Sequence, residues 1–316
     1  MTATGKIIIV GGGVTGLTTG VALLEAGLPV HLVASEIPGR TSIAAGAMWG
    51  PYLVEPWSKV RQWSLASLDT FRELSGDSAT GVRMVSGIEA SRKAMPAPEW
   101  STLLPDFREC SADELPAGFE GGYRFTVPLI DMPLYLQYLL HRFQEAGGTV
   151  QRRLVTSLDE FDDVSAVVNC AGLGAGKLAA DNDVRPIRGQ HVVVKNPGIT
   201  EFFSEDTGLS PDLVCVYPHG DTVVLGGTAI DGEAGLREDP VAARAIVERC
   251  AAIDPRLAKV AVLEHRVGVR PTRAEVRVEA DVRGDGVPLI HNYGHGGSGV
   301  TLSWGCSGEV VRLLPF

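Results

Sequence analysis

The ten residues from Ile7 to Gly16, IIIVGGGVTG, restrict what this chain can fold into more than any other stretch. The run from Lys6 to Val10 is β-branched and apolar after its first residue, the pattern of a parallel strand buried on both faces. Gly11, Gly13 and Gly16 follow at G-x-G-x-x-G spacing. The first glycine allows a tight turn, the second lets backbone approach a pyrophosphate closely, and the third lets helix pack closely on strand. The next helix shows an inner face at Leu17, Val21 and Leu24, and Gly27 stands where a left-handed C-terminal cap belongs. A second strand, Val30 to Val33, precedes Glu36, which lies about 20 residues beyond Gly16, where the fingerprint places a carboxylate on the ribose hydroxyls. Strand, glycine turn, helix, strand and acid together predict dinucleotide binding. They do not separate FAD from NAD.

The rest of the composition narrows the class. With 316 residues, 45% of them hydrophobic, the chain can build two lobes around a sizeable core. A formal net charge of −10 disfavours nucleic acid and anionic membrane as partners, because phosphate binding draws on Lys and Arg. The opening residues run straight into the first strand with no cationic and apolar leader, and no long apolar segment follows, so the expected location is the cytoplasm. The cysteines, Cys110, Cys170, Cys215, Cys250 and Cys306, are scattered and odd in number, as suits a reducing compartment.

Along the chain, residues 37 to 57 read as a loop of Gly, Pro and small residues with Trp49, Tyr52 and Trp57. It is either an ordinary packed loop or one whose small residues let backbone approach a flat ring while the aromatics wall a pocket. Ser58 to Leu74 reads as helix, Val82 to Ala90 as strand, residues 91 to 122 as loop-rich, and Tyr123 to Val127 as strand. Asp131 is placed to cap a helix with an inner face of Leu136, Leu139, Leu140 and Phe143. Strands are expected at Thr149 to Val155, Ala166 to Val168 and His191 to Lys195, and a hairpin at Val214 to Leu225. Asp239-Pro240 opens another helix, and Val262 to Val269 is a strand closing on Arg270-Pro271. Finally Leu289 to Gly305 is a strand end, a glycine turn at Gly294, Gly296, Gly297 and Gly299, and a helix from near Val300. This is a second nest of N–H groups at a helix start. A metal site at His291 and His295 is set aside, because their i, i+4 spacing helps only on a helix and the glycines argue against one.

The segment IHNYGHGGSG, with AAGAMWGPY, VNCAG, RGQ, YPHGDTVVLGGT and VGVRP in order before it, resembles the D-amino-acid oxidase family, which includes D-aspartate oxidase and, more distantly, glycine oxidase. The resemblance spans nearly the whole chain. It implies an α/β fold: a discontinuous Rossmann-type FAD-binding domain (1–55, 128–185 and 266–316) plus a substrate domain with a large mixed sheet (56–127 and 186–265). The implied cofactor is noncovalent FAD, and the implied partners are a D-amino acid and oxygen, with a homodimer left open.

Position by position, the resemblance implies that Arg270 and Tyr217 hold the substrate carboxylate, that the Gly297 carbonyl accepts from the amine and that Tyr52 walls the pocket. Taken alone, Arg270 is an ordinary strand-end residue, Tyr217 a half-buried strand tyrosine and Gly297 a turn glycine. Cofactor contacts are implied at Gly11, Gly13, Val14, Gly16, Ser35, Glu36, Thr41, Ser42, Ala45, Gly46, Met48, Val155, Gly172, Gly296, Gly299, Val300 and Thr301, with the ribose going to either Ser35 or Glu36. Two departures stand out: Leu213 occupies a lid position that is aromatic in mammalian relatives, and the sequence closes on LLPF instead of a peroxisomal Ser-Lys-Leu, which again suggests the cytoplasm. These motifs put no His, Asp or Glu beside the substrate, so hydride transfer without a general base is expected. With Trp49 and Tyr52 as walls, and Ala229-Ile230 where D-aspartate oxidases carry an arginine, the pocket is expected to take neutral D-amino acids. Rival readings are a glycine or D-aspartate oxidase, a flavoprotein dehydrogenase passing electrons to a carrier, and a silent FAD-binding protein.

Overall fold

The computed structural model describes residues 5–205 and 214–315, so Leu213 lies outside it. The strands are β1 (Lys6–Val10), β2 (Val30–Ala34), β3 (Val82–Ser91), β4 (Arg108–Glu109), β5 (Gly121–Ile130), β6 (Thr149–Arg152), β7 (Val164–Asn169), β8 (Arg185–Lys195), β9 (Phe202–Glu205), β10 (Cys215–His219), β11 (Thr222–Gly226), β12 (Ile230–Asp231), β13 (Val262–Val282) and β14 (Pro288–His295). The helices are α1 (Val14–Glu25), α2 (Arg40–Ile43), α3 (Trp57–Leu74), α4 (Met132–Glu145), α5 (Leu173–Leu178), α6 (Pro240–Ile253) and α7 (Gly299–Leu313). The strands join in one sheet of order β4-β5-β3-β9-β10-β11-β8-β13-β14-β7-β1-β2-β6, with β12 on β8.

One end of this sheet, β14-β7-β1-β2-β6, is parallel throughout. Its apolar runs reflect burial on both faces: Ile7 and Ile9 pack with Leu17 and Val21 of α1, whereas Ile8 and Val10 pack with Val33, Phe161 and Leu289 on the far side. Gly20 lets α1 lie against α4, since a Cβ there would meet the Phe143 ring at 2.5 Å, and Gly305 lets α7 cross α3, its Cβ position being 2.2 Å from the Trp63 carbonyl. A buried polar seam joins α1 and α7, with Thr19 Oγ1 3.2 Å from Ser307 Oγ and Asn292 Nδ2 donating to Thr19 Oγ1 at 3.1 Å. These groups partner one another, so their burial leaves little polar cost.

Local signals act as expected at several ends. Asp131 accepts from the Leu134 N–H to cap α4, Asp239 accepts from the Val241 and Ala242 N–H groups to cap α6, and Gly27 has φ +81. Three boundaries differ from expectation. β6 stops at Arg152, leaving Val155 in irregular backbone. β8 already begins at Arg185, so Arg188-Gly-Gln190 lies inside a strand. β13 does not close at Arg270-Pro271 but continues to Val282. Pro271 is tolerated there because it pairs opposite Pro186 and the ladder to β14 shifts register between Thr272 and Arg277. Among the described residues no helix is long and apolar enough to cross a membrane.

Candidate active site

The first glycine turn is shaped by contacts that exclude side chains. Gly11 has φ +128, and a Cβ on it would lie 2.2 Å from the Cys170 carbonyl oxygen; one on Gly12 would lie 2.4 Å from that of Glu36. No side chain caps α1, whose Val14 N–H is met by Ser42 Oγ at 2.9 Å. At the other end of the sequence, Gly294 (φ +84) and Gly296 (φ +55) turn β14 into a short 3-10 segment, and α7 likewise starts without a side-chain cap. Both helix starts open onto one cavity of about 640 Å3. Paired nests of backbone N–H groups, with the field of two helix dipoles, suit an anionic, ring-bearing ligand. The glycine-lined cradle therefore fits a flavin dinucleotide.

Farther along the cavity stand the polar side chains. Arg270, on β13, is partly buried. Its Nη1 donates to the Thr228 carbonyl at 3.1 Å, and it pairs with no carboxylate among the described residues. Gly189 gives the guanidinium room, since a Cβ there would sit 2.5 Å from Nη1. Burial pulls the Arg270 pKa down, while nearby Tyr52 and Cys215 act the other way. A buried guanidinium without an anion is costly, and a bound carboxylate removes that cost. Tyr217, on β10, has its hydroxyl 3.3 Å from Ser204 Oγ, and burial raises its pKa well above the ordinary value. A Cβ on Gly297 would lie 3.2 Å from Cδ1 of Tyr52 and 3.8 Å from Cδ of Arg270, so the three converge. Ser298 holds Tyr52 in place, its Oγ accepting from the Tyr52 N–H at 2.9 Å and donating to the Tyr52 carbonyl at 3.0 Å.

A profile of the family described as "DAO: FAD dependent oxidoreductase" matches residues 6–313. The chain belongs to this family of FAD-dependent oxidoreductases. It is 46% identical to a D-amino-acid oxidase of Rubrobacter xylanophilus over 98% of this chain and 95% of that one. It is 45% identical to a D-amino-acid oxidase of Streptomyces coelicolor over 98% and 96%. Among solved structures, glycine oxidase from Bacillus cereus superposes with a TM-score of 0.80 at 18% identity over 98% of this chain and 95% of that one, a likeness of fold alone.

For a FAD-dependent oxidoreductase the cavity is arranged sensibly. Every expected substrate and cofactor residue lines it except Gly16, which instead packs: its Cβ position is 1.9 Å from the Gly11 carbonyl oxygen. Ser35 and Glu36 both reach the lining, with Glu36 paired to Arg40 at 3.3 Å. Thr41 ties the small-residue loop to β13 through the Val269 backbone, its Oγ1 donating to the carbonyl at 3.2 Å and accepting from the N–H at 3.3 Å. Trp49 is a correction. It is fully buried, donates to the Ser64 carbonyl and stands edge-on to Trp100, and Trp100 is the indole that reaches the cavity.

The motifs placed no His, Asp or Glu beside the substrate residues; the cavity they share is also lined by His191, Glu89 and Glu205. His191 Nδ1 is 2.8 Å from the Ala44 carbonyl, which places the proton on that nitrogen, and burial followed by the Arg270 charge pushes its pKa down to about 4. It is therefore a neutral wall residue beside Gly46, Gly226 and Gly227. These residues lie on strands brought together only by long-range pairing, and no local motif marks them. Arg61 pairs with Glu99, and Arg188 donates to the Gly235 and Arg237 carbonyls and to Gln190, so neither cation supplies a second positive charge to the lining.

Proposed function

We propose that the protein oxidises neutral D-amino acids to 2-oxo acids, releasing ammonia and reducing oxygen to hydrogen peroxide. The observation that carries this reading is the partly buried Arg270, paired with no carboxylate among the described residues, facing Tyr52 and the Gly297 turn. The Arg270 fork takes the substrate carboxylate in bidentate fashion, and the Tyr217 hydroxyl donates to the same group. The Gly297 carbonyl accepts from the amine. With carboxylate and amine fixed, the Cα hydrogen of one enantiomer alone faces the cofactor, so orientation does most of the catalytic work. The two glycine turns would hold noncovalent FAD, which when bound would supply the hydride acceptor and a route for the two electrons to oxygen. The amine reacts in its neutral form, whose lone pair drives the hydride out, and the imino acid hydrolyses in water.

The attachment of FAD is read as noncovalent because the lining cysteines are poor nucleophiles: burial raises the Cys170 pKa to about 12. The chain is read as dividing at the boundaries expected from sequence, on the ground that both glycine turns and the run of parallel strands β14-β7-β1-β2-β6 come from the segments assigned to the FAD unit. The cytoplasm is the proposed location, in keeping with five free cysteines. A peroxide assay on a panel of D- and L-amino acids tests the reading, with turnover of D-alanine and D-leucine and none of the L-forms expected. Comparable turnover of an L-enantiomer contradicts the three-point geometry, and glycine as the best substrate, or electron transfer to a dye without peroxide, replaces the assignment.

A further inference from the structure

The buried polar seam between α1 and α7 continues past Asn292 to the cavity, and its hydrogen bonds run in one direction. Ser307 Oγ donates to the Ser303 carbonyl at 2.6 Å, and a carbonyl can only accept. Ser307 Oγ therefore accepts from Thr19 Oγ1 at 3.2 Å, and Thr19, its one proton thus committed, accepts from Asn292 Nδ2 at 3.1 Å. This orients the Asn292 amide, whose Oδ1 lies 3.1 Å from His295 Nε2. Because Oδ1 accepts, the His295 proton sits on Nε2, and Nδ1 carries a lone pair.

His295 is 3% exposed and lines the cavity. Its Nδ1 has no partner among the described residues, and its side chain does not cap the 3-10 turn that it precedes. Buried polar side-chain atoms are nearly always hydrogen-bonded, so an acceptor left open in the wall of a ligand cavity is a place for a ligand donor. Burial lowers the His295 pKa to about 4, which keeps the ring neutral and the lone pair available at neutral pH.

The position of the ring selects the part of the cofactor it meets. Through Asn292 it is anchored on Thr19 of α1, the helix that follows the first glycine turn. Cys170, whose carbonyl crowds Gly11, reaches the same Thr19, Sγ to Oγ1 at 3.9 Å. The second turn begins at the residue after His295, so the imidazole stands between the two turns. A ligand that engages both turns has its middle there, and the middle of FAD is a diphosphate joined to the flavin by a ribityl chain with three hydroxyls. Phosphate oxygens only accept and are repelled by a lone pair, whereas a ribityl hydroxyl can donate to it. We propose that His295 Nδ1 accepts a hydrogen bond from a ribityl hydroxyl of FAD, with Asn292, Thr19 and Ser307 as positioning residues that hold the imidazole in the tautomer able to do so. This rests on membership of the FAD-dependent family and is independent of which substrate the protein oxidises.

The test exchanges the FAD of the holoenzyme against three analogues, each lacking a different ribityl hydroxyl, and reads relative affinity. One analogue is expected to bind about tenfold more weakly than FAD, the scale of a neutral hydrogen bond whose buried acceptor is left open. In His295→Phe, which keeps a ring and removes the acceptor, FAD itself is expected to weaken by about the same factor and the discrimination among analogues to disappear. Equal binding of FAD and all three analogues to the wild type overturns the proposal. So does a discrimination that persists in His295→Phe while all four flavins weaken together, which is what a merely structural histidine would give. A second measurement needs no variant: nitrogen NMR of the wild-type holoenzyme labelled in histidine. His295 Nδ1 is expected to resonate as an unprotonated ring nitrogen that shifts when FAD is exchanged for the weakly bound analogue, and a protonated or unresponsive Nδ1 refutes the assignment. None of these readouts uses turnover, so a protein that oxidised no D-amino acid would overturn the substrate reading and leave this test intact.

Discussion

The two ends of the cavity are lined by different means. At the parallel end, the lining is largely backbone: glycine turns, uncapped helix starts and small residues, with Ser42 and Thr41 tying that backbone together. At the other end, the lining is built from side chains, among them Arg270, Tyr217, His191 and Glu89, each on a different strand. Backbone recognition depends on what is missing from a position, so it fails abruptly when a Cβ is added. Side-chain recognition can be altered one group at a time while the sheet beneath stays intact. The cofactor end should therefore be intolerant and the substrate end tunable.

The harshest trial of this contrast is Gly11→Ala. With φ +128 and a Cβ 2.2 Å from the Cys170 carbonyl, the variant is expected to lose bound FAD altogether, read as the flavin absorbance of the purified protein. Full flavin content would show that the turn can give way. Next is Arg270→Ala, expected to raise KM for D-alanine by two or more orders of magnitude with FAD retained, since leaving a buried charge unpaired costs about 3 to 5 kcal/mol. Arg270→Lys should rescue little, because the planar fork is lost. Unchanged kinetics in Arg270→Ala would move the carboxylate anchor elsewhere.

Acid should act more gradually. His191 and His295 are held neutral by burial with pKa values about 4, below their ordinary 6.5. Unfolding frees them to bind protons, so the unfolded state carries more protons between these values and stability rises with pH across that window. Their contribution is complete above pH 6.5 and is lost as pH falls to about 4. Melting temperature against pH checks this, and a flat profile across the window contradicts it. The mildest change is Glu36→Ala beside Ser35→Ala. A single ribose hydrogen bond is worth about 0.5 to 1.5 kcal/mol, so whichever variant weakens FAD binding by up to about tenfold identifies the partner. Loss of all FAD from either would mean that side chains matter as much at this end as at the other.

The contrast also explains what could be read from the sequence. The glycine spacings, the Gly27 cap and the Asp131 and Asp239 helix starts act on their immediate neighbours, so the parallel half and most helix ends were legible. Arg270, Tyr217 and Gly297 were visible only through resemblance, since nothing local separates them from ordinary strand and turn residues. Glu89, His191 and Trp100 were not visible. Their place in the cavity depends on pairings such as Glu89 with Ser204 and Gly226 with His191, which bring distant stretches to one face. Trp49 was misplaced for the same reason: composition shows an aromatic in a loop, while only packing shows that it turns inward.

The unbroken run of β13 through Arg270 and Pro271 has a further consequence. Arg270 lies two residues before Thr272, which pairs with His295 at the foot of the second glycine turn. The separation between Arg270 and the second glycine turn is thus counted in rungs of a ladder and does not depend on a loop or hinge. A single residue inserted between Val267 and Arg270 would turn the guanidinium to the opposite face, leaving a folded flavoprotein blind to its substrate. Evolution can lengthen the loops around this molecule freely, but that short interval behaves as a ruler whose divisions cannot be redrawn.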